Sequence, residues 1–139
     1  MIELSELEMR ILSELEEAGS EHSASLLNTV TVPSGDTSEL MAFQDALRLL
    51  LDKDLIAIHM EASASDSVRL ANDSAKSEIG RMLENYKYVP GETYWTDVRD
   101  KGPPFFQTPL PEIVATDAGY AKSAEILEEH GYRWWRKPG

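Results

Sequence analysis

The sequence predicts a protein of the α+β class, in which early helices pack against a small antiparallel sheet. Apolar residues recur at helical spacing over residues 5–18 and again over residues 38–53, which is typical of amphipathic helices. Residues 55–60 instead alternate between two faces, as in a strand with one buried side. Because 139 residues with 42% hydrophobic content are enough for one core, we expect a single domain over residues 1–139.

The first helix is predicted by a start signal and a stop signal. Ser5 is followed three residues later by Glu8, the spacing of a capping box, in which each side chain bonds the backbone N–H of the other residue. Gly19 predicts the end, because glycine adopts the left-handed conformation without steric cost. Between these signals, apolar residues lie on one face at steps of four, four and three: Leu7, Ile11, Leu15 and Ala18.

Two further helices are predicted before the first strand. Apolar residues in helical register over residues 26–30 predict a short helix, which the segment 32–35 (Val-Pro-Ser-Gly) interrupts. Asp36 then offers a second cap. The helix that follows, over residues 38–53, has the strongest apolar stripe of the chain: Leu40, Phe43, Leu47 and Leu50.

The strand at residues 55–60 is expected to return on itself. A turn of small polar residues at 62–67 separates it from a second strand at residues 68–70. A fourth helix is predicted over residues 74–87, and Gly80 weakens it because glycine costs about 1 kcal/mol relative to alanine in a helix.

Residues 88–111 are the least helical part of the chain. They are rich in proline but too aromatic for a disordered linker, so we expect an ordered loop with a short extended piece near residues 93–98. Residues 112–116 then predict a strand, and Thr116 is placed to cap a final helix at residues 117–130.

Two segments resemble the winged helix-turn-helix superfamily, whose order of helix, short helix, turn, long helix and strands matches the predicted order. Residues 46–56 are similar to the end of the recognition helix, where a leucine-rich turn leads into the first wing strand. Many members have glycine at the position of Asp54, and aspartate tolerates a left-handed conformation better than most residues. Residues 113–120 resemble the last wing strand entering a C-terminal helix, with Ala115 where members often carry leucine.

The resemblance covers residues 5–60 and 112–131. It implies that residues 62–111 are an elaborated wing or insertion and that residues 117–139 form a C-terminal helix and tail. It also implies an origin among transcription regulators, which often dimerise through terminal helices, so we expect a homodimer. Winged helices also serve as protein-interaction modules, and the fold alone therefore does not assign DNA binding.

The charge distribution favours a protein partner over DNA. Of the formal net charge of -12, residues 1–66 carry -11 (14 acidic, 3 basic) and residues 67–139 carry -1 (11 acidic, 10 basic). Residues 38–54, which would approach the phosphates in a DNA-binding member, have a net charge of -2, whereas affinity for DNA depends on cations. We therefore expect a non-enzymatic module that mediates protein–protein interaction, by self-association or with a basic partner.

The alternative is a DNA-binding transcription regulator that uses the third helix and the wing. Its phosphate contacts would come from cations on those two elements. They are Arg48, Lys53, Arg69, Lys76, Arg99 and Lys101.

Aromatic residues in the second half predict an interface and a pocket. The interface would combine the final helix with the basic tail, since aromatic residues and arginine are enriched at binding hot spots. Its residues are Tyr120, Leu127, Arg133, Trp134, Trp135 and Arg136. The pocket would take an apolar effector or a partner side chain, and its residues are Tyr94, Trp95, Phe105 and Phe106. Both sets have a structural alternative: the tail docks on its own domain, and the loop aromatics close the core.

Other functional classes lack their signals. The chain has no cysteine, which excludes disulfides, thiol chemistry and cysteine-based metal sites. The three histidines are far apart and form no ligand motif, so we expect no metal. No nucleotide, dinucleotide or hydrolase motif occurs, and Asp97, Arg99 and Asp100 are interpreted as a solvated turn, so we expect no catalysis and no cofactor. With no long apolar run and no signal-peptide pattern, a cytoplasmic protein that does not bind membranes is expected.

Overall fold

The computed structural model describes residues 3–61, 67–98 and 111–136, and it confirms the α+β class. The predicted turn at 62–67 and the predicted loop at 88–111 lie partly outside these residues. In chain order the elements are α1 (Glu6–Ala18), β1 (Ser20–His22), α2 (Ser23–Val30), α3 (Thr37–Asp52), β2 (Ile56–Glu61), β3 (Ser67–Arg69), α4 (Asn72–Gly80), α5 (Met82–Asn85), β4 (Tyr86–Val89), β5 (Tyr94–Asp97), β6 (Glu112–Ala115), α6 (Asp117–His130) and a 3₁₀ turn (Trp134–Arg136).

The larger sheet has four antiparallel strands in the order β1-β6-β2-β3. Strand β6 lies between β1, where Val114 is opposite Ser20, and β2, where Ile113 is opposite Ile58. The sheet therefore joins segments that are far apart in the sequence, and it places the start of α6 beside the end of α3.

The smaller sheet is the hairpin of β4 and β5, in which Tyr88 is opposite Trp95. Strand β5 packs against α2. The hairpin contributes Tyr86 and Trp95 to the same buried cluster that holds the three early helices.

The core is one continuous cluster of buried apolar side chains. It includes residues from every early helix, from β2 and β6, and from α4 and α6. The largest fully buried side chains include Ile11, Leu12 and Leu15 of α1, Leu26 and Leu27 of α2, Phe43, Leu47 and Leu50 of α3, Ile56 and Ile58 of β2, and Ile79 of α4.

The helix starts follow the predicted capping residues. The Ser5 N–H donates to Glu8 Oε1 at 2.6 Å, and the Glu8 N–H donates to Ser5 Oγ at 3.3 Å, which confirms the capping box. The side chains of Asp36 and Thr116 accept backbone N–H groups at the starts of α3 and α6.

The turn between α3 and β2 depends on Asp54, which adopts a left-handed conformation with φ of 57°. Its carboxylate pairs with Arg69 of β3 at 2.9 Å. Its carbonyl accepts a hydrogen bond from Thr116 Oγ1 at 2.6 Å. This turn therefore connects α3 with both the hairpin strand β3 and the start of α6.

One expectation about the elements is wrong, and one strand was not predicted. The helix predicted over residues 74–87 ends much earlier: α4 ends at Gly80, α5 is a single turn, and Tyr86 begins a strand. Ile79 and Tyr86 both enter the main core, but Ile79 does so from α4 and Tyr86 from β4, where its hydroxyl contacts Ser23 of α2. Strand β1 was not predicted at all, since its three residues, Ser20–His22, carry no apolar alternation.

Candidate functional site

The exposed face of α3 is acidic and apolar. Met41 and Leu49 are 55% and 37% exposed. Asp45 lies four residues from each, so the three side chains share one helix face, and Asp52 follows on the last turn. This is the element that would enter the major groove in a DNA-binding winged helix.

The predicted DNA-contacting cations next to this face are paired with carboxylates of the chain itself. Arg48 lies 3.8 Å from Asp45 within α3. Lys76 of α4 lies 2.6 Å from Asp52. Both pairs are largely exposed, so each contributes little to stability, but each reduces the positive potential beside α3.

The other predicted cations are also engaged where the structure describes them. Arg69 pairs with Asp54, and Lys53 Nζ donates to the Glu3 carbonyl at 3.3 Å. Four predicted site residues lie outside the described residues: Arg99, Lys101, Phe105 and Phe106.

A cleft of about 370 Å³ lies between α2 and β5. Two of the predicted pocket residues, Tyr94 and Trp95, contribute to its wall. Trp95 is nevertheless mainly a core residue: it is buried, its ring packs edge-on against Tyr88 at 5.4 Å, and its indole N–H donates to Glu39 Oε2 at 2.9 Å. Tyr94 lies partly exposed at the rim.

Asn28 joins α2 to β5 across this cleft. Its amide nitrogen donates to the Trp95 carbonyl at 2.8 Å, and the Trp95 N–H donates to its amide oxygen at 2.8 Å. One side chain thus satisfies both backbone groups of Trp95 that point away from β4.

The floor of the cleft contains an ionisable pair that the sequence analysis missed. His22 Nδ1 donates to the Pro111 carbonyl at 3.0 Å, and His22 Nε2 lies 3.3 Å from Asp97 Oδ2. The second contact has the distance of an ion pair without the direction of a hydrogen bond. Next to it, the hydroxyls of Ser23 and Tyr86 contact each other.

The interpretation of Asp97 as part of a solvated turn is wrong. Asp97 is the last residue of β5, and its side chain is almost fully buried. Pairing with β4 places it opposite Tyr86, which turns it toward α2 and His22. The sequence analysis predicted only a short extended piece near residues 93–98, which does not indicate that Asp97 is buried.

The C-terminal segment docks on α1 of its own chain. Trp135 is 2% exposed, and its indole N–H donates to Glu14 Oε1 at 2.9 Å. Arg136 donates to the same oxygen at 2.9 Å, and Arg133 pairs with Glu17 at 2.7 Å. Of the two interpretations of the tail, the described residues therefore show the intramolecular one.

The neighbouring tryptophan is held in the same way. Trp134 stacks on His130 with ring centroids 4.7 Å apart and donates to Ser13 Oγ at 3.0 Å. Arg10 donates to the Trp135 carbonyl at 2.7 Å.

The other two predicted interface residues lie on α6. Tyr120 is 37% exposed and is open to a partner, whereas Leu127 is half-buried. Their role in an interface stays a prediction.

A pair of acidic side chains lies beneath this segment. The pKa of Glu21 is raised to about 7, first by burial and then by the adjacent Glu14 carboxyl, since two like charges cannot ionise easily side by side. Arg136, which bonds Glu14, partly opposes this effect. Glu21 Oε2 is buried without a donor nearby, so a proton on one of the two carboxyls completes a hydrogen bond between them.

In the described part of the chain, no helix combines the length and apolar character needed to cross a membrane. Within the same residues, no cluster of three or more histidine, aspartate or glutamate side chains could hold a metal ion. Comparisons with known proteins find no matching family model, no similar curated protein and no similar solved structure.

Proposed function

We propose that this chain is a protein-interaction module of the winged-helix type, which binds a basic partner through the exposed face of α3. The fold assignment is supported by three early helices, of which the third leads into the antiparallel strands β2 and β3. Strand β6, whose sequence resembles a last wing strand, pairs directly with β2, which follows the helix that resembles a recognition helix. This pairing is what a wing requires.

The observation that carries the interaction role is the chemistry of α3. Its exposed face presents Met41 and Leu49 around Asp45, and the nearest cations are paired with carboxylates. A helix that enters the major groove meets phosphates on both sides, and like charges there lower affinity. A basic amphipathic surface on a protein matches the same face in both charge and hydrophobicity.

The test compares two fluorescent probes by anisotropy: a random-sequence duplex, and a helical peptide that places leucine and arginine on one face. We expect the peptide to bind and the duplex not to bind at about 50 mM salt. Asp45→Lys should weaken peptide binding about tenfold or more, because it places a like charge at the centre of the contact. Glu129→Lys makes the same charge change on the exposed surface of α6 and should have little effect.

Two outcomes would contradict the proposed role of α3. Salt-sensitive binding of the duplex that Arg48→Ala abolishes, together with no peptide binding, would identify the DNA-binding regulator instead. If neither probe binds, the proposed role of α3 is also refuted.

A further inference from the structure

The α2–β5 cleft presents hydrogen-bond acceptors along α2. Ser25 Oγ donates its hydrogen to Glu21 Oε1 at 3.0 Å, and Thr29 Oγ1 donates to the Ser25 carbonyl at 2.9 Å. A hydroxyl has one hydrogen and two lone pairs. Ser25 and Thr29, which both line the cleft, therefore offer lone pairs to a molecule inside it.

Hydrogen-bond donors lie beside these acceptors. No side chain caps the start of α2, so the backbone N–H groups of the lining residues Ala24 and Ser25 have no partner within the helix. Asn28 uses its amide oxygen and one amide hydrogen on β5, which leaves its second amide hydrogen for a ligand. Thr96 adds a hydroxyl, a group that both donates and accepts, from β5.

The lining offers no unpaired charge that would select an ion. Asp97 is the one carboxylate among the described residues that line the cleft, and it is almost fully buried against His22. No lysine or arginine of the described part of the chain lines the cleft. An apolar ligand is also disfavoured, because it would leave the polar groups of the wall without hydrogen bonds.

An aromatic ring lies at the rim of the cleft. Tyr94 is 36% exposed and contributes to the wall. Its hydroxyl is bonded to the Glu92 carboxylate, which raises the pKa of Tyr94 above its ordinary value and restricts the movement of the ring. The face of an aromatic ring carries partial negative charge and packs well against C–H groups.

We propose that this cleft binds a neutral sugar ring. Each hydroxyl of a sugar donates one hydrogen bond and accepts up to two, which matches a wall where donors and acceptors lie side by side. The C–H groups on the face of a pyranose ring complement the ring of Tyr94. The volume of about 370 Å³ has room for about one or two sugar rings.

This ligand chemistry has two sources: a free monosaccharide, and one unit of an oligosaccharide or of a glycan on another protein. The cleft shares no residue with the exposed face of α3. Its occupancy is therefore independent of the α3 interaction, and Asp45→Lys should leave sugar binding unchanged.

The test is an NMR titration of the ¹⁵N-labelled full chain with the methyl pyranosides of glucose, galactose, mannose and N-acetylglucosamine. We expect at least one of these neutral sugars to cause saturable shifts of the backbone signals of Ser25, Thr29 and Thr96. No saturable shift with any of them would refute the proposal.

Analogues of the same size test the selection of a neutral polar ligand. Cyclohexylmethanol keeps a ring but only one hydroxyl, methyl glucuronide adds a negative charge, and the protonated form of methyl glucosaminide adds a positive charge. We expect each to bind several-fold more weakly than the best neutral pyranoside. Equal or tighter binding of the alcohol would show an apolar site, tighter binding of either ion would show a site for that charge, and each result would overturn the proposal.

A pair of variants tests the ring of Tyr94. Tyr94→Ala removes the ring, and we expect a loss of affinity for the best pyranoside of about threefold to tenfold. Tyr94→Phe keeps the ring and removes only the hydroxyl, so most of the affinity should remain. Wild-type affinity in Tyr94→Ala would contradict the contact between the sugar and this ring.

A second pair tests the polar wall. Thr29→Val keeps the shape of the side chain and removes an acceptor from the cleft, so we expect several-fold weaker binding. Thr31→Val makes the same change at a hydroxyl that does not line the cleft, and it should not affect binding. Both hydroxyls bond the carbonyl four residues earlier in α2, so the two changes have matched effects on the helix. Equal affinity in both variants would contradict the assigned lining.

A trisaccharide of the preferred sugar separates the two sources. Tighter binding of the trisaccharide than of the methyl pyranoside favours a glycan chain, and equal or weaker binding favours a free monosaccharide. Failure of both would overturn the proposal even if the α3 face binds its peptide.

Discussion

Gly119 lies where the first turn of α6 touches the backbone between α3 and β2. A Cβ atom built on this glycine would lie 2.0 Å from the Leu55 carbonyl oxygen. The same carbonyl accepts the Thr116 N–H at 3.1 Å. The close approach of α6 to the Leu55 carbonyl is therefore fixed by a backbone hydrogen bond. Because the obstructing atom belongs to the backbone, moving a neighbouring side chain would not make room for a side chain at position 119.

Gly119→Ala should consequently destabilise the fold by about 3 kcal/mol or more, because overpacking against backbone forces α6 away from the sheet. The matched control is Gly91→Ala, since a Cβ there meets no atom within 4 Å. Urea denaturation of the two variants checks the difference. Equal midpoints would show that α6 shifts freely and that the contact is not restrictive.

The left-handed turn at Asp54 was accessible from the sequence, whereas the environment of Asp97 was not. The turn follows from a local motif at the end of a leucine-rich helix, and Asp54 has the expected positive φ. The burial of Asp97 depends on the pairing of β5 with β4 and on the packing of α2 over that hairpin. Neither contact leaves a pattern in the residues next to Asp97.

At the scale of elements, the C-terminal 3₁₀ turn is fixed to the domain by a buried tryptophan outside the main core cluster. Trp135 is buried against α1 and bonds Glu14, so Trp135→Ala should destabilise the protein by about 3 kcal/mol. Tyr132→Ala is the control, because Tyr132 is 75% exposed and surface changes of this kind stay within about 0.5 kcal/mol. Chemical denaturation followed by far-UV circular dichroism measures both. Similar values for the two variants would contradict the docking of the tail.

Trp135→Ala and Tyr132→Ala also test the predicted homodimer. If the tail serves only its own α1, light scattering should give one mass for the wild type and for both variants under native conditions. A dimer that is lost only in Trp135→Ala would instead show that the docked tail also supports an interface.

The prediction of helices was correct where a start signal, a helical period of apolar residues and a stop signal coincide. The capping box of Ser5 and Glu8 and the cap at Thr116 are local, and α1, α3 and α6 begin as predicted within a residue or two. Strand β1 has no such signal. It exists because Ser20 lies opposite Val114 of β6 and bonds the Glu112 side chain at 3.0 Å, and both partners are far away in the sequence.

For the whole molecule, Glu21 couples folding to pH. The pKa of Glu21 rises from 4.5 to about 7 in the folded state, first because of burial and then because of Glu14. Between these pH values the folded chain binds the proton more tightly than the unfolded chain. This contribution is therefore fully present below pH 4.5 and is lost as the pH rises through about 7.

As the pH rises, the expected loss of folding free energy from Glu21 is on the order of 1 kcal/mol, since Glu21 is only half-buried and solvent screens the effect. Glu21→Gln should remove this pH dependence and leave stability nearly constant between about pH 5 and pH 8. Although burial favours a higher pKa for Glu39, hydrogen bonds from Ser34 and Trp95 lower it, so its contribution has the opposite sign and is lost only at more acidic pH. Denaturant titrations at several pH values test the role of Glu21. Identical profiles of stability against pH for the wild type and Glu21→Gln would contradict it.

The candidate sites are also properties of the whole molecule, and this limits their prediction from sequence. Arg48 and Asp45 are three residues apart, so their pairing was visible in the helix register. Lys76 reaches Asp52 only because α4 packs on α3. The sequence therefore identified the acidic character of α3, but the neutralisation of its neighbouring cations required the tertiary contacts.

The amide of Asn28 has a consequence for behaviour at high concentration. The outer edge of a two-stranded hairpin can recruit a strand from another molecule, and uncontrolled recruitment leads to aggregation. Asn28 already engages both outward backbone groups of Trp95, and an incoming strand would have to displace it. One residue of α2 thus keeps the hairpin from extending into an intermolecular sheet at that position.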